Sequence, residues 1–413
     1  MKKFKNLFLV AAVALFGFSS CLGGDVETGY HDGNVRLQMA LSTRAIGPSQ
    51  TDAPVAITSG YVIFTAGQQG TVQHYFRLGQ GDVTMTALQT TGIVFNDISA
   101  SANYVHFVGN TTISPAMVEG VTSMAAVLNQ VLNVTSQGGT LEGNNQVVNV
   151  YGRGGIASGV ANFEVEPTVA RFEIHRITGD RSIAGFRVDG IFMDRYFEEA
   201  RLDGRLMGNY FERAQGATAC VAAFNFPGNN TFTPAMRHHV FDWNENGWIA
   251  ANTITVNDGT PFANAYLQGT RPAPTPHVWG YNLFANYSNV ARTEGSRFPV
   301  IVIRMTHVNV RVPTLDPTTG AVIGYTVALH PGHDGVPTTP LFITIRGFAP
   351  ADTGIPLNPA TGFLPRRVYQ IGTTPDGWFS KDDLSTYPYP GDIIVDVTIV
   401  PMAWVPIPGR PIN

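Results

Sequence analysis

The 413-residue sequence predicts an all-β fold of two large β domains with a few short helices, and three observations carry that expectation. Glycine (44 residues) and proline (27) punctuate the chain at short intervals, leaving regular elements little room to run. Between them Val, Ile, Thr and Phe recur in short alternating runs, which is the pattern of half-buried strands. Charged residues make up only 14% of the chain, and helical spacing is scarce. The length accommodates two to three domains, or two large β domains.

The first element is a leader, residues 1–20. Lys2, Lys3 and Lys5 precede an apolar run from Leu7 to Phe18 that is shorter than the roughly 20 residues a spanning helix needs, so it reads as an export signal. Phe18-Ser19-Ser20-Cys21 resembles a bacterial lipoprotein signal, with Cys21 as the acylated residue and Phe18 where leucine is usual. With Cys21 carrying palmitate, Cys220 has no partner in the chain, and no intramolecular disulfide forms. Cys220 lies in an apolar segment, where a thiol packs as a small hydrophobe.

Val35–Leu41 follows. Val35, Leu37, Met39 and Leu41 alternate with Arg36, Gln38 and Ala40, so the segment predicts a strand with one apolar face. Residues 42–54 are polar and contain proline, as loops open to proteases do. Arg44 and Ala45 there form the candidate cleavage bond, which makes residues 21–44 a propeptide carrying a removable strand.

Strands are expected at Tyr61–Thr65, Val72–Leu78, Asp82–Leu88, Tyr104–Val108 and Gln146–Tyr151. Ser114–Leu132 is the best helical candidate, with Met117, Val121, Met124, Ala125, Leu128 and Leu132 at helical spacing. Strands through Phe163–Val165, Ala170–Ile177, Ala184–Val188 and Gly190–Met193 are expected to close a first domain of residues 45–206. In Ala170–His175 the alternation predicts a buried face of Ala170, Phe172 and Ile174 and a solvated face of Arg171, Glu173 and His175. The second domain, 207–413, is expected to use Cys220–Phe226, His277–Tyr287, Val300–Met305, Thr326–Leu329, Leu341–Gly347, Val368–Ile371 and Asp392–Val400.

No motif selects an enzyme. Gly152-Arg-Gly154-Gly-Ile-Ala157 matches a dinucleotide pattern, but a turn and a strand follow it where a helix must open. Asp242-Trp-Asn244-Glu-Asn246-Gly247 copies half a calcium loop, with Thr253 where a bidentate glutamate belongs, and predicts a tight turn. His238-His239 and His330-Pro-Gly-His333 lack the spacing of a zinc site and are expected in exposed loops. No catalytic residue, metal or cofactor is assigned. Of 26 basic and 30 acidic residues, five and three lie in 1–44, so the remainder carries net −6 and gives no reason to expect nucleic acid.

The end of the chain is more informative. In 392–404, Ile393, Val395, Val397 and Ile399 share one face, while Ile394, Val400, Met402 and Trp404 fall largely on the other. The segment predicts an extended strand, either the last of its own sheet or one offered to another chain.

Together these residues resemble the fimbrillin superfamily, the subunits of type V pili. The resemblance rests on Cys21, the strand before Ser42-Thr-Arg44-Ala45, the blocks Thr168–Ile174 and Gly190–Phe197, and the ending Asp396–Trp404. It covers nearly the whole chain, and it lies in order and position, since no single motif is specific. It implies two tandem transthyretin-like β-sandwich domains and a lipidated outer-membrane precursor that becomes an extracellular fimbrium supporting adhesion. It further implies an arginine-specific protease acting at Arg44, a groove left by Val35, Leu37, Met39 and Leu41, and a donor strand from another copy or a related pilin. The donor candidates here are Ile393, Val395, Val397, Ile399, Met402 and Trp404, and a host or bacterial receptor would complete the list of partners. The alternative is a monomeric surface lipoprotein or tip adhesin that binds glycan or host protein through aromatics such as Trp243, Trp248, Trp279 and Tyr281.

Overall fold

A computed structural model describes residues 33–41, 55–79, 83–113, 117–137, 148–174, 176–207, 210–211, 240–241, 263–266, 279–284, 299–351, 364–373, 377–388 and 393–401. The fold is all-β. Its first strands are β1 (Val35–Leu41), β2 (Gly60–Thr65), β3 (Val72–Leu78), β4 (Ile93–Phe95), β5 (Tyr104–Gly109), β6 (Val131–Asn133), β7 (Val150–Gly155) and β8 (Val160–Pro167). All but β6 form a seven-stranded sheet in the order β3-β2-β5-β7-β8-β1-β4.

The chain continues with β9 (Val169–Ile174), β10 (Arg176–Gly179), β11 (Ile183–Asp194), β12 (Tyr196–Phe197), β13 (Glu199–Arg201), β14 (Tyr210–Phe211), β15 (Val240–Phe241) and β16 (Ala263–Tyr266). It ends with β17 (Trp279–Phe284), β18 (Val300–Leu315), β19 (Val322–Leu329), β20 (Leu341–Pro350), β21 (Arg367–Ile371) and β22 (Ile393–Pro401). The larger sheet has the order β15-β11-β18-β20-β22-β21-β9-β17, with β19 attached to β18. The buried side chains of both sheets join in one contiguous core. Among the described residues no helix is long and apolar enough to cross a membrane.

The sheets change at Thr168, not near 207. β8 ends at Pro167 and β9 begins at Val169, so the block that alternation assigned to the first domain supplies β9 and β11 to the second sheet. The junction is tied by polar groups. Thr168 donates its backbone N–H to the Asn149 carbonyl (3.0 Å), and the Asn149 amide donates to Thr168 Oγ1 (3.1 Å) and to the Leu202 carbonyl (2.9 Å). Asn149 N–H in turn donates to Gln137 Oε1 (2.9 Å), and Asn282 of β17 donates to the Gln137 carbonyl (2.8 Å). These bonds satisfy the buried donors of the junction, while the side-chain oxygens of Asn149 and Asn282 accept no hydrogen bond.

That junction explains a second departure from the sequence pattern. Arg171 and Glu173 are buried, not solvated, because both faces of β9 lie inside, every residue of Val169–Ile174 being buried. Arg171 Nε donates to Glu173 Oε1 at 2.8 Å, and Gln370 of β21 donates to Glu173 Oε2 at 3.1 Å. Alternation shows which residues share a face; it does not show that both faces lie inside.

Two local assignments also change. Where the sequence predicts a strand at Asp82–Leu88, Val83–Thr90 is the helix α1, whose Met85 and Leu88, three apart, are buried. Ser114–Leu132 is not one helix: α2 is only Met124–Leu128, capped by Ser123, and β6 follows at Val131. Gly120 at φ +75 and the turn around it stop any helix from running through that region.

Candidate functional site

The candidate site is the slot that β1 fills. β1 lies inside the first sheet, parallel to β8 (Leu37 opposite Ala161, Met39 opposite Phe163, Leu41 opposite Val165) and antiparallel to β4 (Val35 opposite Phe95, Leu37 opposite Ile93). Every other pairing in that sheet is antiparallel. Neither neighbour is reached from β1 by a hairpin. The chain runs on from β1 to β2 through residues 42–59, of which 55–59 are described.

The alternation read from the sequence is carried into the core. Val35, Leu37 and Met39 are 0%, 0% and 1% exposed, whereas Arg36 and Ala40 face outward. Val35 stands opposite Phe95, which packs with Phe76 (ring centroids 4.8 Å) and Phe64 (5.4 Å), and α1 packs on the same strand. Burying three such side chains contributes roughly 1.5–3 kcal/mol each. On the outward side Arg36 and Gln38 donate to the carbonyls of Thr91 and Thr90, both at 3.4 Å. Arg36 N–H donates to the Gly159 carbonyl (2.7 Å), and the Gly33 carbonyl accepts from Ile98 N–H (2.9 Å). Gly92, at φ +79, allows the close pass: a Cβ there would lie 3.0 Å from the Leu37 carbonyl oxygen.

β22 is also an interior strand. It runs parallel to β20 and antiparallel to β21, with Val395 and Val397 buried, Ile393 and Ile399 half-buried and Ile394 exposed over Gly347. The C-terminal strand is thus seated in the middle of its own sheet, not at an edge. Cys21, Arg44, Ala45, Met402 and Trp404 lie outside the described residues, as do Cys220, His238, His239, the Asp242–Gly247 turn, Trp243 and Trp248; of Leu41 only the backbone register is described.

The other motifs resolve into structure. Gly152–Ala157 begins within β7 in mid-sheet: a Cβ on Gly152 would come 2.4 Å from the Glu164 carbonyl oxygen, so close strand packing requires this glycine. His330 and His333 are buried, contrary to the exposed loops expected. His330 Nδ1 accepts from Gly332 N–H (3.0 Å) and its Nε2 pairs with the Lys381 carbonyl (3.0 Å). His333 Nε2 accepts from Val308 N–H (2.9 Å) and its Nδ1 pairs with the Thr339 carbonyl (2.7 Å). Both nitrogens of each ring are engaged by backbone, which leaves none for a metal. Burial holds the His333 pKa below the usual imidazole value. Among the described residues no group of three or more His, Cys, Asp or Glu converges on one point.

No family model matches the sequence, and no curated protein matches it. Among solved structures the chain is similar to a fimbrilin from Porphyromonas gingivalis, at 12% identity over 92% of this chain and 99% of that one, with a TM-score of 0.43. It is also similar to candidate cell adhesion proteins from Parabacteroides distasonis (11% identity, 92% and 98% covered, TM-score 0.45) and Bacteroides eggerthii (13%, 92% and 98%, TM-score 0.42).

Proposed function

We propose that this chain is a structural subunit of a cell-surface fimbrium of the type V kind, assembled by protease-triggered strand exchange. The observation that carries the proposal is β1: a core strand, parallel to its neighbour and followed in the sequence by the polar stretch 42–54 that contains Arg44. Cutting after Arg44 converts a covalent strand into a bound peptide. Its departure bares two strand edges and the core beneath Val35, Leu37 and Met39, which is costly until another strand restores both ladders. A strand from another copy or a related pilin supplies that replacement, and head-to-tail contacts of this kind do not close, so they build a filament. In this account Cys21 carries lipid and holds the precursor at the outer membrane until the cut releases it to the extracellular fimbrium, where it supports adhesion.

The test uses the purified precursor and an arginine-specific protease. Treatment is expected to remove residues up to Arg44 and to give ladders on mildly denaturing gels, and an Arg44→Ala chain is expected to stay monomeric. Filaments formed equally well by the Arg44→Ala chain would remove the proposed trigger.

The position of β22 favours a second reading, a tip subunit that accepts a strand without donating one. Segment 392–404 is the donor candidate because Ile393, Val395, Val397 and Ile399 repeat the alternation of β1, yet leaving its seat costs the ladders to both β20 and β21. After cleavage a stalk subunit forms ladders by itself. A tip subunit remains monomeric but captures an added peptide of sequence 33–44, and capture without ladders would assign the tip.

A further inference from the structure

We propose that the β18–β19 ribbon is a self-association surface, at which two copies of this chain pair edge to edge, antiparallel, through β19. β11 pairs with β18 only as far as Val310 and β20 only at 301–305, so beyond Arg311 the hairpin runs on as two strands alone. A two-stranded ribbon is marginal by itself in water. This one nonetheless exposes Ile323, Tyr325 and Val327 at 63%, 64% and 66% on one face of β19, with Val312, Leu315 and Val322 also about half exposed. The turn is already ordered. Asp316 Oδ1 accepts from the backbone N–H of Thr318 (2.7 Å) and Thr319 (2.8 Å), and Asp316 and Ala321 close the loop through Asp316 N–H to the Ala321 carbonyl (2.7 Å). Little ordering cost therefore remains to be met on binding.

The other edge strands differ from β19 among the described residues. β3 carries His74 and Arg77, β4 is three residues long, and the Asn282 side chain of β17 donates to the Gln137 carbonyl. Charge and shortness are the usual defences against unwanted pairing. β19 has neither: its eight residues, Val-Ile-Gly-Tyr-Thr-Val-Ala-Leu, hold no charge and no proline.

Charge also selects the occupant. From Val312 to Ala328 the one residue charged at neutral pH is Asp316 in the turn, so the surface offers nothing to a charged partner and nothing that repels its own copy. Antiparallel pairing places the two Asp316 turns at opposite ends, whereas parallel pairing would set them side by side. The ribbon supplies fewer than the roughly 20–30 residues per partner of a standard interface, so the contact is weak in solution and gains from repetition along a polymer.

The uncleaved full chain tests this apart from strand exchange, because its groove is filled by β1. Sedimentation equilibrium is expected to show a reversible dimer that grows with concentration, with slowed amide exchange in β19. The Tyr325→Lys/Val327→Lys chain, altered only at exposed positions and checked for an unchanged thermal midpoint, is expected to be monomeric with fast exchange there. A wild-type chain that stays monomeric up to millimolar concentration overturns the proposal, as does a dimer that the two lysines leave intact. A monomer that instead captures an extended apolar peptide on β19, lost with the same lysines, overturns self-pairing and makes the ribbon a peptide-binding edge.

Discussion

A Glu173→Leu chain is expected to unfold at markedly lower denaturant, with a loss of about 3–5 kcal/mol, the range found when one partner of a buried ion pair is removed. Arg171 and Glu173 are 2% and 0% exposed, so the surviving guanidinium cannot recover water, and Gln370 loses its acceptor as well. Their attraction is not the source of the number. Most of the penalty is the desolvation of a charge left behind, so removing both charges is expected to undo it. An Arg171→Met/Glu173→Leu chain is therefore expected to lie near the wild type or above it. Chemical denaturation of the three chains decides the matter: a single variant within 1 kcal/mol of wild type would show that water reaches the pair.

Acid is expected to weaken the first sheet through His106. This imidazole is fully buried on β5 beside Tyr151, whose hydroxyl lies 2.9 Å from Nδ1, and burial together with the nearby Arg153 lowers its pKa to about 3. The same burial pushes the Tyr151 hydroxyl up. The folded chain thus holds His106 neutral while the unfolded chain protonates it near pH 6.5. Between those values the unfolded state binds the extra proton, so stability is complete above pH 6.5 and falls as pH drops toward 3. A shift of that size corresponds to about 4–5 kcal/mol when fully expressed. His333 acts in the same direction, while Glu166, raised by burial and paired with Arg366, acts in the opposite one. Comparing wild type with His106→Leu isolates the term. Urea unfolding from pH 6 to 4 is expected to show a slope shallower by nearly one proton in the variant, and equal slopes would mean that His106 is not held neutral.

The sequence carried the positions of most strands because apolar periodicity is a local property. Val72–Leu78 and Tyr104–Gly109 follow directly from it, and the inward set Val35, Leu37 and Met39 is the alternation itself. What the sequence did not carry depends on neighbours distant along the chain. Val83–Thr90 alternates like a strand, but packing against β1 buries Met85 and Leu88 three residues apart and makes it a helix. Glu173 takes a hydrogen bond from Gln370 of β21, about 200 residues further on, a partner that local alternation cannot show. The change of sheet at Thr168 leaves little trace in composition, because a strand that passes from one sheet to another keeps the same alternation. The free ribbon was legible only in part: Thr326–Leu329 reads as a strand, whereas the extension of β18 beyond Met305 depends on β11 and β19 lying beside it.

The passage of one strand through both sheets has a mechanical meaning. β8 borders the slot of β1, and two residues after it ends the same backbone is β9, inside the second sheet, with Thr168 and Asn149 clamping the step between them. A pull applied at the slot therefore travels along covalent bonds into the second sheet as well as through the shared core. Because the strand in the slot lies alongside β8, such a pull loads its hydrogen bonds together in shear instead of peeling them one by one.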